Sequence, residues 1–151
     1  MVLIQEADFD MAAEYQALRQ NGTGAIATFV GLVRDYGDQT GVEGLFLEHY
    51  PGMTEKVIEG LVDEAGRRWS IQAARVIHRV GHLALGEQIV FVGIASSHRS
   101  DAFAACEFIM DALKTSAPFW KKELNADGGR WVEQKDSDQA RTAQWQTPDN
   151  H

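Results

Sequence analysis

The chain has 151 residues, 44% of them apolar and 24% charged, a balance that suits one packed domain and excludes a disordered or fibrous chain. Its 14 Lys and Arg against 22 Asp and Glu leave a net charge of −8, which excludes broad nucleic-acid binding but not a local basic pocket for one small anion. A single cysteine, Cys106, leaves no internal disulfide and no CxxC or Cys/His metal pattern; with no apolar run near the ~20 residues of a membrane span and no basic start before an apolar segment, a cytoplasmic setting away from membranes is expected.

In chain order, Asp8 is placed to cap a helix reaching residue 20, with Met11, Ala12, Tyr15 and Leu18 on one face and Gly22 as its stop. Residues 24–33 (GAIATFVGLV) read as a buried strand. Residues 35–44 are polar and hold three glycines, the composition of a loop. A second strand over 44–50 ends at the Pro51-Gly52 turn, and Thr54 is placed to cap the next helix. That helix runs to Trp69, with Val57, Ile58, Leu61, Val62 and Ala65 recurring at helical period. Strands follow over 73–80 and 88–95, joined by GHLALGE, whose glycines suit a hairpin or loop. Ser100 opens a third helix over 100–115, and Pro118 marks its end. Residues 119–124 and 130–134 form a last strand pair around Asp127-Gly128-Gly129. This order predicts an α+β fold with a largely antiparallel sheet and three main helices, in one domain over 1–135 followed by a polar tail over 136–151.

The basic residues gather at element ends, where functional side chains tend to lie. Arg34 closes the first long strand, His98 and Arg99 precede the third helix, and Lys114, Lys121 and Lys122 bracket that helix's end. Free N–H groups and the dipole at a helix N-terminus favour an anion, and Arg99 adds a planar donor fork suited to phosphate. An ordinary solvated cap has the same appearance. Lys114, on one face with Met110, reads as a general acid/base or nucleophile, or as a C-terminal dipole partner. Strand alternation puts Phe119, Lys121 and Glu123 on one side and Trp120 and Lys122 on the other; a solvated edge strand guarded by lysines is the plainer alternative. A serine-histidine hydrolase lacks its G-x-S-x-G elbow, Glu48-His49 is not HExxH, and no histidine spacing assigns a metal. Cys106 sits on an apolar helical stripe and reads as packing.

Taken together, GAIATFVGLVRD, LFLEHYPGMTEKVI, the segment from VIHRVGHLALGEQ through SSHRSDAF and LKTSAPFWKKE, and RWVE resemble the large, catalytic subunit of molybdopterin synthase. The resemblance runs over residues 23–133 in the family's order, and LEHYPGM, SSHR-x-x-AF and LKT-x-x-PFWK are specific in combination. It implies an α/β hammerhead-like fold with an added small antiparallel sheet. It implies a sulfurtransferase of molybdenum cofactor biosynthesis that acts on cyclic pyranopterin monophosphate and forms the molybdopterin dithiolene. It implies that the sulfur comes as a thiocarboxylate on the C-terminus of a ubiquitin-like small subunit, with no cofactor or metal. It also implies a homodimer of large subunits within a heterotetramer.

By position, the resemblance implies that Lys114 and Lys121 are catalytic. Leu32, Val33, Arg34, His98, Arg99, Lys122 and Glu123 fall on substrate-contacting positions, and Phe29 and Met110 on pocket positions. Lys135 stands where the family is expected to carry Arg, which keeps charge but loses a bidentate grip. The chemistry accords with the residues: a substrate and a sulfur donor that are both anionic need local cations, and a donor bringing its own sulfur needs no catalytic cysteine. The alternative is a non-catalytic partner-binding module of the same fold; a phosphate-ester enzyme using His98 lacks a nucleophile motif. Arg99 and Lys114 lie 15 positions apart on one helix, about 22 Å at ~1.5 Å per residue, so each pocket is expected to combine His98 and Arg99 of one protomer with Lys114 and Lys121 of its mate.

Overall fold

The computed structural model describes residues 1–34, 43–124, 130–132 and 145. The chain forms β1 (Val2–Gln5), α1 (Met11–Leu18), β2 (Ala25–Leu32), β3 (Gly44–His49), α2 (Met53–Arg68), β4 (Ala73–Arg79), β5 (Gly81–Ala84), β6 (Gln88–Ser96), α3 (Arg99–Thr115), β7 (Phe119–Leu124) and β8 (Arg130–Val132). Two four-stranded sheets result, ordered β1-β4-β6-β2 and β5-β3-β7-β8. Every pairing is antiparallel except β1 with β4. The expected α+β class with three helices and a small added sheet is the one adopted.

The first sheet is covered on both sides, and strand alternation decides which residues go where. Val76, Val90, Val92, Ile94 and Ala27 pack with Ala105, Ile109 and Leu113 of α3 and Ile58 and Ala65 of α2. The intervening residues Ile77, Phe91 and Ala95 pack with Phe9 and Leu18 beside α1. Burying residues of this size contributes roughly 1.5–3 kcal/mol each, so this two-sided layer fixes α3 against β2 and β6. Gly93 is the close approach that seats α1: a Cβ there would lie 2.5 Å from the Leu18 Cδ1. The second sheet has its own small core of Leu45, Leu47, Leu83 and Val33.

Three local expectations are corrected, and a first strand, β1, is added to those expected. The 81–87 connection contains a strand, β5, paired with β3; Gly81, at φ 88°, turns the chain from one sheet into the other, and His82 and Leu83 alternate too briefly to signal a strand. β1, too short to carry a period of its own, is held by parallel pairing with β4. The cap of α1 is Asp10, whose carboxylate accepts from the Ala12 N–H at 2.9 Å. Thr54 does not cap α2. Gly52 does, at φ 86°, with its N–H donating to Glu55 Oε1 at 2.9 Å. The buried Thr54 hydroxyl instead accepts from the Tyr50 N–H at 2.9 Å and donates to the Pro118 carbonyl at 3.1 Å. It thereby ties the start of α2 to the start of β7.

The loop expected over 35–44 and the side chains of the last strand fall largely outside the described residues, as do Lys135 and all of the 136–151 tail but Trp145. That residue packs edge-on against Trp69 and Phe108 at centroid distances of 5.6 and 5.7 Å.

Candidate functional site

α3 and β2 form the walls of an open cleft of about 580 Å³, lined by Ala27, Thr28, Phe29, Phe103, Cys106, Glu107, Met110, Asp111 and Lys114. The spacing explains the composition. Ala27 and Phe29 share the face of β2 that looks onto α3, and Phe103, Cys106, Met110 and Lys114 follow one another at three- and four-residue steps along α3, with Glu107 four residues after Phe103 and three before Met110. The lining is mostly apolar, with Glu107 and Asp111 as its acids and Lys114 at one end. Asp111 is buried, and its Oδ2 accepts from the Trp145 indole N–H at 2.7 Å, so a residue of the C-terminal tail braces the cleft wall. Cys106 is buried with its thiol against the Val92 carbonyl; burial first, then the charge of Glu107, push the thiol up to about 11. It is protonated at neutral pH and a poor nucleophile.

Lys114 stands in the last turn of α3, and three residues beyond that helix the chain enters β7. Lys121 pairs across the ladder with Leu47, and Lys122 with Phe46. Directly opposed residues of an antiparallel pair share a face, so Lys121 lies on the side of the Leu45 and Leu47 core while Lys122 lies on the other side with Phe46. Glu123 pairs with Leu45 through its backbone.

Both lysines act electrostatically on His78, a residue with no role in the sequence analysis. Its imidazole is held down to about 4, first by burial and then, against the bond to the Arg79 carbonyl, by the positive fields of Lys121, Lys114 and His49. A polar residue in phase with Ala74 and Val76, on the apolar face of a strand, was the available signal.

His98 and Arg99 sit at the opposite end of α3, both exposed. His98 is the cap residue, and its N–H donates to Ser96 Oγ at 3.1 Å. Ser96 is buried and donates to the Ser70 carbonyl at 2.7 Å, which leaves it a structural role rather than that of a nucleophile. Leu32 is exposed at the end of β2, Val33 is buried in the core of the second sheet, and Arg34 is exposed beside them. The fold thus gathers Phe29, Met110 and Lys114 in the cleft. It keeps His98 and Arg99 a helix length away and turns Lys122 to the other face. Among the described residues no cluster of acids, histidines and cysteines is fit to hold a metal ion, and no helix is long and apolar enough to cross a membrane.

Fold and cleft define a two-sheet α+β protein with an open, mostly apolar cleft between α3 and β2 that carries Lys114 at one end. The chain belongs to the family described as MoaE protein, which matches residues 4–116. It is 54% identical over 146 residues to the molybdopterin synthase catalytic subunit of Vibrio cholerae, covering 96% of this chain and 97% of that one. It is also similar to the solved molybdopterin biosynthesis MoaE protein of Burkholderia ambifaria, at TM-score 0.82 and 52% identity over 97% of both chains. The crystal structure of molybdopterin synthase from Staphylococcus aureus superposes at TM-score 0.81 and 29% identity, over 86% of this chain and 95% of that chain.

Proposed function

We propose that the chain is the sulfur-transferring subunit of a molybdopterin synthase. It catalyses transfer of sulfur from the C-terminal thiocarboxylate of a ubiquitin-like small subunit directly to cyclic pyranopterin monophosphate, building the dithiolene. The observation that carries this reading is a cleft with Lys114 at its end, whose 580 Å³ falls within the roughly 300–1,000 Å³ usual for small-molecule sites; the positive fields of Lys114 and Lys121 both act on His78.

The chemistry asks for what these residues offer. Thiocarboxylate and phosphate are both anions, and a pair of ammonium groups attracts them into a chain that is acidic as a whole. Attack of the sulfur on the pterin side chain builds negative charge, which a lysine stabilises or protonates. The apolar walls of Phe29 and Met110 suit the flat pterin, and Arg34, exposed at the end of β2, is assigned to substrate contact. Cys106 carries no sulfur in this scheme.

His98 and Arg99 are assigned to the phosphate in the pocket of a second copy of the chain. The length of α3 supports this: Arg99 is its first residue and Lys114 lies in its last turn, so both reach one small molecule only if two protomers share each pocket. A homodimer of this chain with a small subunit at each end is the assembly that follows.

The test is Lys114→Ala in a synthase reconstituted with thiocarboxylated small subunit. Dithiolene formation is expected to fall at least ~100-fold, as for loss of a general acid/base, while small-subunit binding by titration calorimetry stays intact. Near-normal turnover removes Lys114 from the mechanism.

A further inference from the structure

At the corner where the chain leaves the first sheet for the second, His78 is held in a way that packing alone does not require. Its ring stacks on Phe119 of β7, with centroids 3.9 Å apart and planes inclined by 20°. Its Nδ1 lies 2.8 Å from the Arg79 carbonyl oxygen. A carbonyl only accepts, so the ring hydrogen is on Nδ1 and Nε2 carries a lone pair.

Arg79 is itself immobilised, which fixes that tautomer. Its guanidinium is buried and donates from Nε and Nη2 to the Glu6 carbonyl at 3.0 and 2.9 Å, and from Nη1 to the Gln88 carbonyl at 2.9 Å. Nδ1 makes the one hydrogen bond of the ring among the described residues, and the residue is half-buried. Phe119, on which the ring rests, precedes Lys121 by two positions on the same strand and so shares its face. The charged or titratable groups that act on the ring are Lys121 from β7, Lys114 from α3 and His49 from β3. Among the described residues no carboxylate acts on the ring.

We propose that His78 is a positioning residue of the sulfur-transfer site: its Nε2 is a neutral acceptor that takes a hydrogen bond from the Lys121 ammonium when the site is filled, and so sets where that ammonium points. The inference rests on the reading of Lys121 as a site residue. The chemical reason for a histidine is charge. A carboxylate here would orient Lys121 equally well but would neutralise it, and the lysine would lose its pull on the thiocarboxylate and the phosphate. A neutral imidazole orients the ammonium without adding a negative charge beside it.

The experiment compares His78→Phe, which keeps the stack and removes the acceptor, with His78→Gln, which restores an amide acceptor near the Nε2 position. Should His78→Phe fail to fold, His78→Met takes its place. Turnover of the reconstituted synthase is read beside the titration of Lys121 by NMR of 13C-labelled lysine in the complex with the small subunit. His78→Phe is expected to lower kcat by about tenfold and to move the Lys121 titration to lower pH, because the ammonium loses an acceptor. His78→Gln is expected to recover most of both. The proposal is overturned if Lys121 titrates alike in wild type and His78→Phe, if His78→Phe turns over like wild type, or if the two variants lose activity equally. A wild-type synthase that forms no dithiolene refutes the proposed function instead, and the Lys121 titration still decides the role of His78.

Discussion

Sharing of each pocket between two protomers is testable by mixing two inactive proteins. α3 runs from Arg99 to Thr115, and the 15 steps between Arg99 and Lys114 span about 22 Å at ~1.5 Å per residue. Arg99→Ala damages the phosphate side of both pockets in a homodimer, and Lys114→Ala damages the lysine side of both. When the two proteins exchange subunits at equal concentration, half of the dimers are mixed. In a mixed dimer one pocket carries both substitutions, and the other takes Arg99 from one protomer and Lys114 from its mate and is intact. About one quarter of all pockets are then whole, so the mixture is expected to show about 25% of wild-type dithiolene formation, from two parents that each show almost none. Differently tagged variants, copurified to prove exchange, supply the control. A mixture that has exchanged and is still no more active than its parents refutes the shared pocket and places Arg99 outside the phosphate site.

Other outcomes follow from single groups. Folding holds the His78 imidazole at about 4 against an ordinary 6.5, so between those values the unfolded chain binds more protons and stability falls as pH falls. The full contribution is present above pH 6.5 and is lost on the way to pH 4, up to about 3 kcal/mol in total. Urea midpoints at pH 7 and pH 5 are expected to differ less in His78→Phe than in wild type, and an equal difference counts against the assignment. Cys106→Ala is expected to keep sulfur transfer, because the thiol is protonated and the sulfur arrives with the partner; loss of transfer in a folded Cys106→Ala protein, measured by product mass, contradicts that route.

Much of this architecture is written in local pattern. The apolar stripes of α2 and α3 and the continuous run of β2 bury what their periodicity says they bury, and the alternation of β7 separates Lys121 from Lys122 as the ladder register does. What local pattern misses has long-range causes. β1 and β5 have four residues each and exist through pairing with β4 and β3, contacts that no short window contains. Thr54 has the composition of a cap, yet its hydroxyl is taken by Tyr50 and Pro118, a partner 64 positions away. Trp145 is a lone aromatic in a polar tail, and only the Trp69–Phe108 surface explains it. At the site, the cluster of cations at element ends is visible in the sequence, but His78 is not. Its phase with Ala74 and Val76 marks it only as a polar residue on an apolar strand face; its role depends on a corner between two sheets that stacks it on Phe119 of β7.

The central claim is that a lysine-bearing cleft brings a phosphorylated pterin beside a borrowed thiocarboxylate. The most direct measurement incubates the protein with cyclic pyranopterin monophosphate and a thiocarboxylated small subunit and follows both by mass. The account predicts a pterin product that has gained two sulfur atoms while the small subunit returns as its carboxylate, with the reaction abolished by Lys114→Ala. A pterin of unchanged mass, beside a small subunit that binds and keeps its sulfur, contradicts it.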